Sequence, residues 1–145
     1  MFHHILLPTD GSPISSSAIK AGLAFARESD ARVTGLHVVP EFHVFTYVTE
    51  MLEGTQEEYE KQAAARGKKC LADVEAAARE AQVNCNTLCV TSDHPYEAII
   101  KAAQDQQCDL IVMASHGTKG AKGLLLGSET QKVLTHCDIP VLVLR

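Results

Sequence analysis

Short apolar runs rich in β-branched residues alternate along the chain with longer segments in which apolar residues recur every three or four positions. The short runs predict strands, and the longer segments predict amphipathic helices. The predicted strands are residues 4–8, 32–39, 86–91, 110–114 and 140–144. The predicted helices are residues 13 to about 29, about 56–81, 95 to about 106, and 128–136.

Alternation of five strands with four helices is typical of a parallel sheet that is covered by helices on both faces. We therefore predict a single α/β domain over residues 1–145, with a doubly wound, Rossmann-like five-stranded parallel sheet. An assumed strand order of 3-2-1-4-5 places the reversal of winding between strands one and four. Ligands of such sheets bind at that switch point, beyond the carboxyl ends of the strands.

Polar residues at the starts of three helices predict where those helices are capped. Ser12 precedes Pro13, and proline is favoured at the first position of a helix. Asp93 stands before the helix at residue 95 and can cap it. Ser128 and Gln131 have the spacing of a capping box, so Ser128 is the predicted cap of the last long helix.

Two polar motifs follow the two strands that flank the predicted switch point. The first strand is followed by Thr9-Asp10-Gly11-Ser12, and the fourth by a glycine-rich loop over residues 117–128 that contains Lys119 and Lys122. Glycines let the backbone approach a phosphate, and the N–H groups of a helix's first turn point at it. The carboxylate of Asp10 can accept two hydrogen bonds from a ribose diol. These motifs predict a nucleotide site, although Asp10 as a simple helix cap and the glycines as a ligand-free turn stay open.

Composition and charge argue against several kinds of partner and cofactor. The 145 residues include 18 acidic and 13 basic ones, with a net charge of −5 and no basic cluster, which argues against a nucleic-acid partner. No apolar run approaches the roughly 20 residues of a membrane span, and no signal peptide is visible, so we expect a cytoplasmic protein with no membrane partner. The odd number of cysteines and the lack of a CxxC pair predict buried free thiols, and the histidine spacing shows no metal-binding pattern.

The connection over residues 40–55 is too long for an ordinary loop between a strand and a helix. It contains Phe42, Phe45, Tyr47 and Met51. A lid over the ligand and a locally packed insert are both consistent with this composition.

Three segments, residues 5–12, 113–117 and 139–143, resemble the universal stress protein family in sequence and in order, and with the glycine loop the resemblance covers essentially the whole chain. Members of this family that bind ATP carry a glycine, two residues, a second glycine, nine residues, and then glycine with serine or threonine. Gly117, Gly127 and Ser128 match that pattern, whereas Ala114 occupies the first glycine position.

The resemblance implies a set of positions around an adenine nucleotide. Those implied near the ribose and the base are Pro8, Thr9, Asp10, Val38 through its backbone, Met113 and Ala114. Those implied near the phosphates are His116, Gly117, Gly127, Ser128, Glu129 and Thr130. Asp10 would bond the ribose hydroxyls, and Glu129 would contribute only its backbone N–H because its carboxylate repels an anion.

The function expected from these observations is a cytosolic universal stress protein that binds ATP, ADP or AMP, with or without Mg²⁺. It would serve in a stress response or in signalling, with at most slow hydrolysis, because the sequence offers no clear general base or carboxylate metal cluster. One alternative is a Mg²⁺-dependent ATPase or nucleotide hydrolase that uses His116. Another is a nucleotide-free dimeric interaction module. The resemblance also implies a homodimer that pairs the last strand through Val141, Leu142 and Val143.

Overall fold

The computed structural model describes residues 1–43, 52–117 and 126–145. Its strands are β1 (His4–Pro8), β2 (Arg32–Val39), β3 (Cys85–Thr91), β4 (Leu110–Ala114) and β5 (Val141–Leu144). Its helices are α1 (Pro13–Ser29), α2 (Leu52–Ala81), α3 (Pro95–Asp105) and α4 (Ser128–His136). Helix α2 begins four residues earlier than predicted. It extends through Gly54 and Thr55, although both residues have a low helix propensity. The bounds of β3, β5 and α3 differ from the prediction by one residue each.

All strand pairs in the sheet are parallel, and the strand order is β3-β2-β1-β4-β5. This order confirms the predicted doubly wound topology. Strand β1 lies at the centre, and its register with β2 runs from His4 opposite Arg32 to Pro8 opposite Leu36. The carboxyl ends of β1 and β4 are therefore neighbours, and the two polar motifs begin at these ends.

Helices cover both faces of the sheet because successive strand residues point to opposite sides. Ile5 and Leu7 belong to a core cluster with residues of α1 and α2, such as Leu23 and Val74. Leu6, between them, belongs to the cluster formed with α3 and α4. Both clusters are continuous and apolar, so the central strand is buried from both sides, as its uninterrupted apolar sequence indicates.

The apolar residues that recur every three or four positions in α1 and α2 are buried, whereas those of α3 are buried only in part. Ile99 of α3 is buried, whereas Tyr96 and Ile100 are only partly buried. The buried positions beside Ile99 are the small residues Ala98 and Ala102, which let the helix lie close to the sheet. Tyr96 instead lies at the start of the helix, with its ring against that of His136 of α4.

The predicted cap of α1 is confirmed, while that of α3 is wrong. The Ser12 hydroxyl accepts a hydrogen bond from the backbone N–H of Ser15 at 3.2 Å. In α3 the proline occupies the first helical position, so His94 is the cap residue and makes no side-chain capping bond. Asp93 lies one position too early to cap the helix and instead bonds to the chain that follows β2.

The cysteines are less buried than predicted. Of the five, all within the described ranges, Cys108 is buried, Cys89 is exposed and the others are partly buried. Burial raises the pKa of Cys108 to about 11. Among the described residues, no helix combines the length and the apolar character needed to cross a membrane.

Candidate functional site

The turn that follows β1 is held by a local set of hydrogen bonds. The backbone N–H of Thr9 donates to the carbonyl of Leu36 at 2.8 Å, which extends the strand pairing by one residue. The N–H of Gly11 donates to the Thr9 hydroxyl at 3.1 Å, and that of Ser12 donates to the Asp10 carboxylate at 3.0 Å. Gly11 has a φ of +80°, a conformation that favours glycine. These bonds hold the Asp10 carboxylate at the end of β1.

Two further residues support this turn, and neither of them is predicted from the sequence to belong to the site. His37 lies near the end of β2, and its Nδ1 donates to the carbonyl of Thr9 at 2.9 Å, since a carbonyl can only accept. The Ser15 hydroxyl, which is buried in α1, donates to the Thr9 hydroxyl at 3.0 Å. No local pattern marks these residues, because their role depends on the register between β1 and β2 and on the packing of α1.

The end of β4 is bound directly to the start of α4. The N–H of Gly127 donates to the carbonyl of Ser115 at 2.6 Å, and the Thr130 hydroxyl donates to the carbonyl of Ala114 at 3.0 Å. A Cβ at Gly127 would lie 3.0 Å from the Cα of His116, so a side chain there would push the two segments apart by a few tenths of an ångström. The start of α4 is therefore fixed at the carboxyl edge of the sheet.

Ser128 is the first residue of α4 and not its cap, so that prediction is wrong. Gly127 holds the cap position with extended backbone, at φ −71° and ψ 160°, and makes no side-chain capping bond. The helix begins one residue earlier than the capping-box spacing implies, because the carbonyl of Gly127 accepts the first intrahelical bond, from the N–H of Gln131 at 3.0 Å. The Gln131 side chain donates to the carbonyl of Leu126 at 3.2 Å instead of completing a capping box.

The turn after β1 and the segment after β4 meet at the switch point. A Cβ built on Gly117 would lie 2.2 Å from Oδ2 of Asp10, which is far inside van der Waals contact. The carboxylate of one motif thus lies against the backbone of the other, although the two residues are over a hundred positions apart in the chain. The remainder of the glycine-rich loop, including Lys119 and Lys122, lies outside the described residues.

Around this contact, the other implied positions come from the ends of β1, β2 and β4. Pro8 is half-buried, whereas Met113 and Ala114 are buried at the end of β4. Val38 lies beyond the last residue of β2 that pairs with β1. Because the carbonyl of Leu36 faces β1 and that of Val39 faces β3, the backbone groups of Val38 face the side on which β1 has ended.

The Glu129 side chain bonds to a neighbouring helix. Its Oε2 accepts a hydrogen bond from the N–H of Tyr96 at 2.9 Å, in the first turn of α3, and Lys132 lies 3.4 Å from its Oε1. A carboxylate is favourable at a helix N-terminus, so Glu129 supplies to α3 the cap that its own sequence lacks. His116 follows buried Ser115, and its Nδ1 lies 3.0 Å from the Ser115 hydroxyl.

Comparison with known proteins gives relatives over the full length of the chain. The model of the universal stress protein family matches residues 1–145. The chain is 32% identical to Universal stress protein MJ0531 of Methanocaldococcus jannaschii, over all of this chain and 83% of that protein.

Two solved structures share the fold. That of protein MJ0577 of Methanocaldococcus jannaschii superimposes with a TM-score of 0.84 at 30% identity and covers 99% of this chain and 96% of that one. A universal stress protein in complex with cAMP has a TM-score of 0.73 at 22% identity, over 99% and 97% of the two chains. The chain belongs to the universal stress protein family.

Proposed function

We propose that this chain is a cytoplasmic universal stress protein that binds ATP, or the related nucleotides ADP and AMP, at the switch point between β1 and β4. Its role would be in a stress response or in signalling, with at most slow hydrolysis of the nucleotide. The observation that carries the proposal is the contact between Asp10 and Gly117, which brings a carboxylate and a glycine-rich backbone segment together where doubly wound sheets bind ligands.

Each part of the nucleotide has a complementary group around this contact. The ribose hydroxyls would donate to the Asp10 carboxylate, whose position is held by the N–H of Ser12. The adenine edge would pair with the backbone of Val38, on the side of β2 that β1 leaves open. The phosphates would meet the N–H groups at the start of α4, beginning at Ser128, where the helix dipole favours negative charge.

Glu129 would not oppose the phosphates with its side chain, although it lies in the first turn of α4. Its carboxylate accepts a hydrogen bond from α3 and lies near Lys132, so its charge is partly balanced. This supports a role for Glu129 in the site through its backbone N–H alone. Thr130, one residue later, has its hydroxyl bonded to β4 and likewise has a backbone N–H in the first turn.

Ala114 departs from the glycine of the ATP-binding pattern, but its conformation does not require glycine. The residue belongs to β4, where it pairs with Leu144 of β5, and it is not among the described residues with positive φ. An alanine at this position therefore costs no backbone strain. The remaining pattern of Gly117, Gly127 and Ser128 is intact, which supports assignment to the ATP-binding members of the family.

Binding is favoured over efficient hydrolysis by the titratable groups at the site. Among the residues that the structure describes there, Asp10 provides a carboxylate and His116 an imidazole, and the Asp10 carboxylate already accepts from Ser12. Efficient hydrolysis requires a positioned base together with groups that hold a metal ion on the phosphates. A single imidazole next to the loop suits contact with phosphate better than rapid turnover.

The test is calorimetric titration of the protein with ATP, ADP and AMP, each with and without Mg²⁺, on the wild type and on Asp10→Ala. Asp105→Ala is the matched control, because this carboxylate is exposed on α3 and pairs with Lys101 away from the switch point. Loss of the ribose contact should weaken binding by about tenfold or more, since hydrogen bonds to charged groups contribute roughly 1.5–3 kcal/mol. The control should bind as the wild type does.

Hydrolysis measured on the same samples separates the alternatives. Turnover that is fast and falls sharply in His116→Ala would favour the ATPase over a binding protein. A wild type that shows no saturable binding at millimolar nucleotide would contradict the proposal and favour the nucleotide-free interaction module. Equal affinities of the wild type and Asp10→Ala would remove Asp10 from the site.

A further inference from the structure

A second group of polar side chains lies at the carboxyl ends of the strands, beyond β2 and β3. Glu41 and His43 follow the end of β2, and Asp93 follows the end of β3. One ligand atom from each residue can be chosen so that the three atoms all lie within 4.8 Å of one another. All three residues are exposed. Strand register brings the two segments together, although His43 and Asp93 are 50 positions apart.

The contacts inside this group join the side chains of His43 and Asp93 and the backbone of Glu41. Oδ1 of Asp93 accepts the backbone N–H of Glu41 at 3.0 Å, which ties the carboxylate to the segment after β2. Its other oxygen, Oδ2, accepts a hydrogen bond from Nε2 of His43. The imidazole nitrogen and the carboxylate oxygen therefore already face each other, and the Glu41 carboxylate lies beside them.

We propose that Glu41, His43 and Asp93 form a binding site for a divalent transition-metal ion, with Zn²⁺ or Co²⁺ as the class that suits the donors. One imidazole nitrogen and two carboxylate oxygens are ligands of such ions, and the two negative charges balance the charge of the metal. The metal would take the place of the proton that His43 donates to Asp93. Water would fill the remaining coordination positions, because the three protein ligands are open to solvent.

The geometry requires only small adjustments of the side chains. Metal–ligand distances of about 2.0–2.2 Å imply ligand atoms roughly 3–3.5 Å apart, and the three atoms lie within 4.8 Å of one another. Nε2 of His43 and Oδ2 of Asp93, which are in hydrogen-bond contact, would separate slightly to admit the ion. Rotation of exposed side chains supplies these small shifts without moving the strands. Bound metal would join the segment after β2 to the turn before α3, and it would thereby hold the start of the connection between β2 and α2.

This site is separate from the proposed nucleotide site. Its ligands follow β2 and β3, whereas the groups proposed to hold the ribose and the phosphates follow β1 and β4. The two sites would share only strand β2, whose Val38 would face the adenine, and they have no ligand residue in common. Metal binding is therefore expected in the absence of nucleotide, and its test does not depend on the nucleotide proposal. Failure of either proposal leaves the other unaffected.

The experiment is titration of nucleotide-free protein without a polyhistidine tag, using Zn²⁺ in a calorimeter and Co²⁺ in a visible absorption spectrometer. The wild type should bind one ion per chain. His43→Ala and Asp93→Asn should each weaken binding by about tenfold or more, as the loss of a ligand or its charge requires. Asparagine at position 93 keeps an acceptor for the N–H of Glu41, so this variant tests the charge with little change to the turn.

His136→Ala is the matched control, because His136 is an exposed histidine on α4 and is not one of the three proposed ligands. It should bind the metal as the wild type does, and circular dichroism should show that all variants keep the fold. Wild-type affinity in His43→Ala, or no saturation at millimolar metal, would overturn the proposal. Thiolate-to-cobalt charge-transfer absorption would also overturn it, because that signal would place the metal on a cysteine.

Discussion

Two glycines near the switch point are required for different physical reasons. Gly11 adopts a φ of +80°, which other residues reach only with strain. Gly117 is required by its neighbour, because a Cβ there would lie 2.2 Å from the Asp10 carboxylate. The sequence predicts that glycines line the site, but it does not distinguish a conformational requirement from a close approach, since the second depends on a residue far away in the chain.

A buried histidine on β1 makes a polar network across three strands. His4 is 4% exposed, and its Nε2 lies 2.7 Å from the Thr34 hydroxyl, which itself donates to the Asn86 side chain at 2.8 Å. Because the single proton of that hydroxyl goes to Asn86, Nε2 of His4 must donate to Thr34. Burial, together with the charge of Arg32, holds the pKa of His4 below its usual value of 6.5.

We predict that His4 makes the fold sensitive to acid. The pKa is lower in the folded than in the unfolded chain, so below pH 6.5 the unfolded chain binds more protons. The contribution of His4 to the free energy of unfolding should therefore have its full value above pH 6.5. It should decrease as the pH falls from 6.5 toward the pKa of His4 in the folded protein. Urea unfolding at pH 7.5 and 5.5 should show a smaller pH effect in His4→Gln than in the wild type.

His3→Gln is the control for this experiment, because His3 is exposed and adjacent in sequence. It should retain the pH effect of the wild type. If His4→Gln and the wild type lose the same free energy of unfolding between the two pH values, His4 is not the residue responsible.

At the scale of elements, helix starts were predicted less well than helix bodies. Of the three predicted caps, the structure confirms Ser12, whose hydroxyl accepts the N–H of Ser15. Asp93 and Ser128 each lie one position away from the cap. The N–H of Tyr96 in the first turn of α3 instead donates to the Glu129 carboxylate, from another helix. Local spacing cannot indicate this bond, because it depends on how α3 and α4 pack.

We predict that Ser12→Ala destabilises the protein by about 1 kcal/mol, the usual effect of removing an N-cap hydroxyl. The measured quantity is the free energy of unfolding from urea denaturation, with an accompanying decrease in Tm of roughly 2–4 °C for a chain of this size. Ser16→Ala on the exposed face of the same helix is the control and should change stability by less than about 0.5 kcal/mol. Equal effects of the two substitutions would contradict a capping role.

At the scale of the whole molecule, β5 lies at one edge of the sheet and pairs with β4 alone among the described strands. Its residues Val141, Leu142 and Val143 are apolar, and Leu142 is 37% exposed. An exposed apolar edge strand can pair with another chain. These features are consistent with the homodimer that the family resemblance implies, in which the β5 strands of two copies would pair about a two-fold axis.

We predict that the protein is a dimer by light scattering at micromolar concentration and that Leu142→Glu shifts it to monomer. The introduced charges would lie in the apolar contact, where they oppose each other and lose hydration. Leu134→Glu provides a matched control, because Leu134 is similarly exposed, at 42%, but lies on α4. A monomeric wild type, or a dimer that survives Leu142→Glu, would rule out pairing through this edge.

The sequence by itself determined the elements, their types and the positions of the two polar motifs. Apolar periodicity and turn residues such as Pro13 depend on a few neighbouring positions, so they can be interpreted without the fold. The strand order was an assumption, and the structure confirms it. This strand order brings both motifs together at the carboxyl ends of β1 and β4, as predicted.

Only the tertiary structure decided which side chains meet. Asp10 lies against Gly117, Glu129 binds the start of α3, and His43 reaches Asp93, all across long stretches of sequence. Such contacts depend on strand register and helix packing, which are determined by the burial of the whole core. A shift of one residue in register would turn each side chain to the opposite face of the sheet, and no local pattern contains that information.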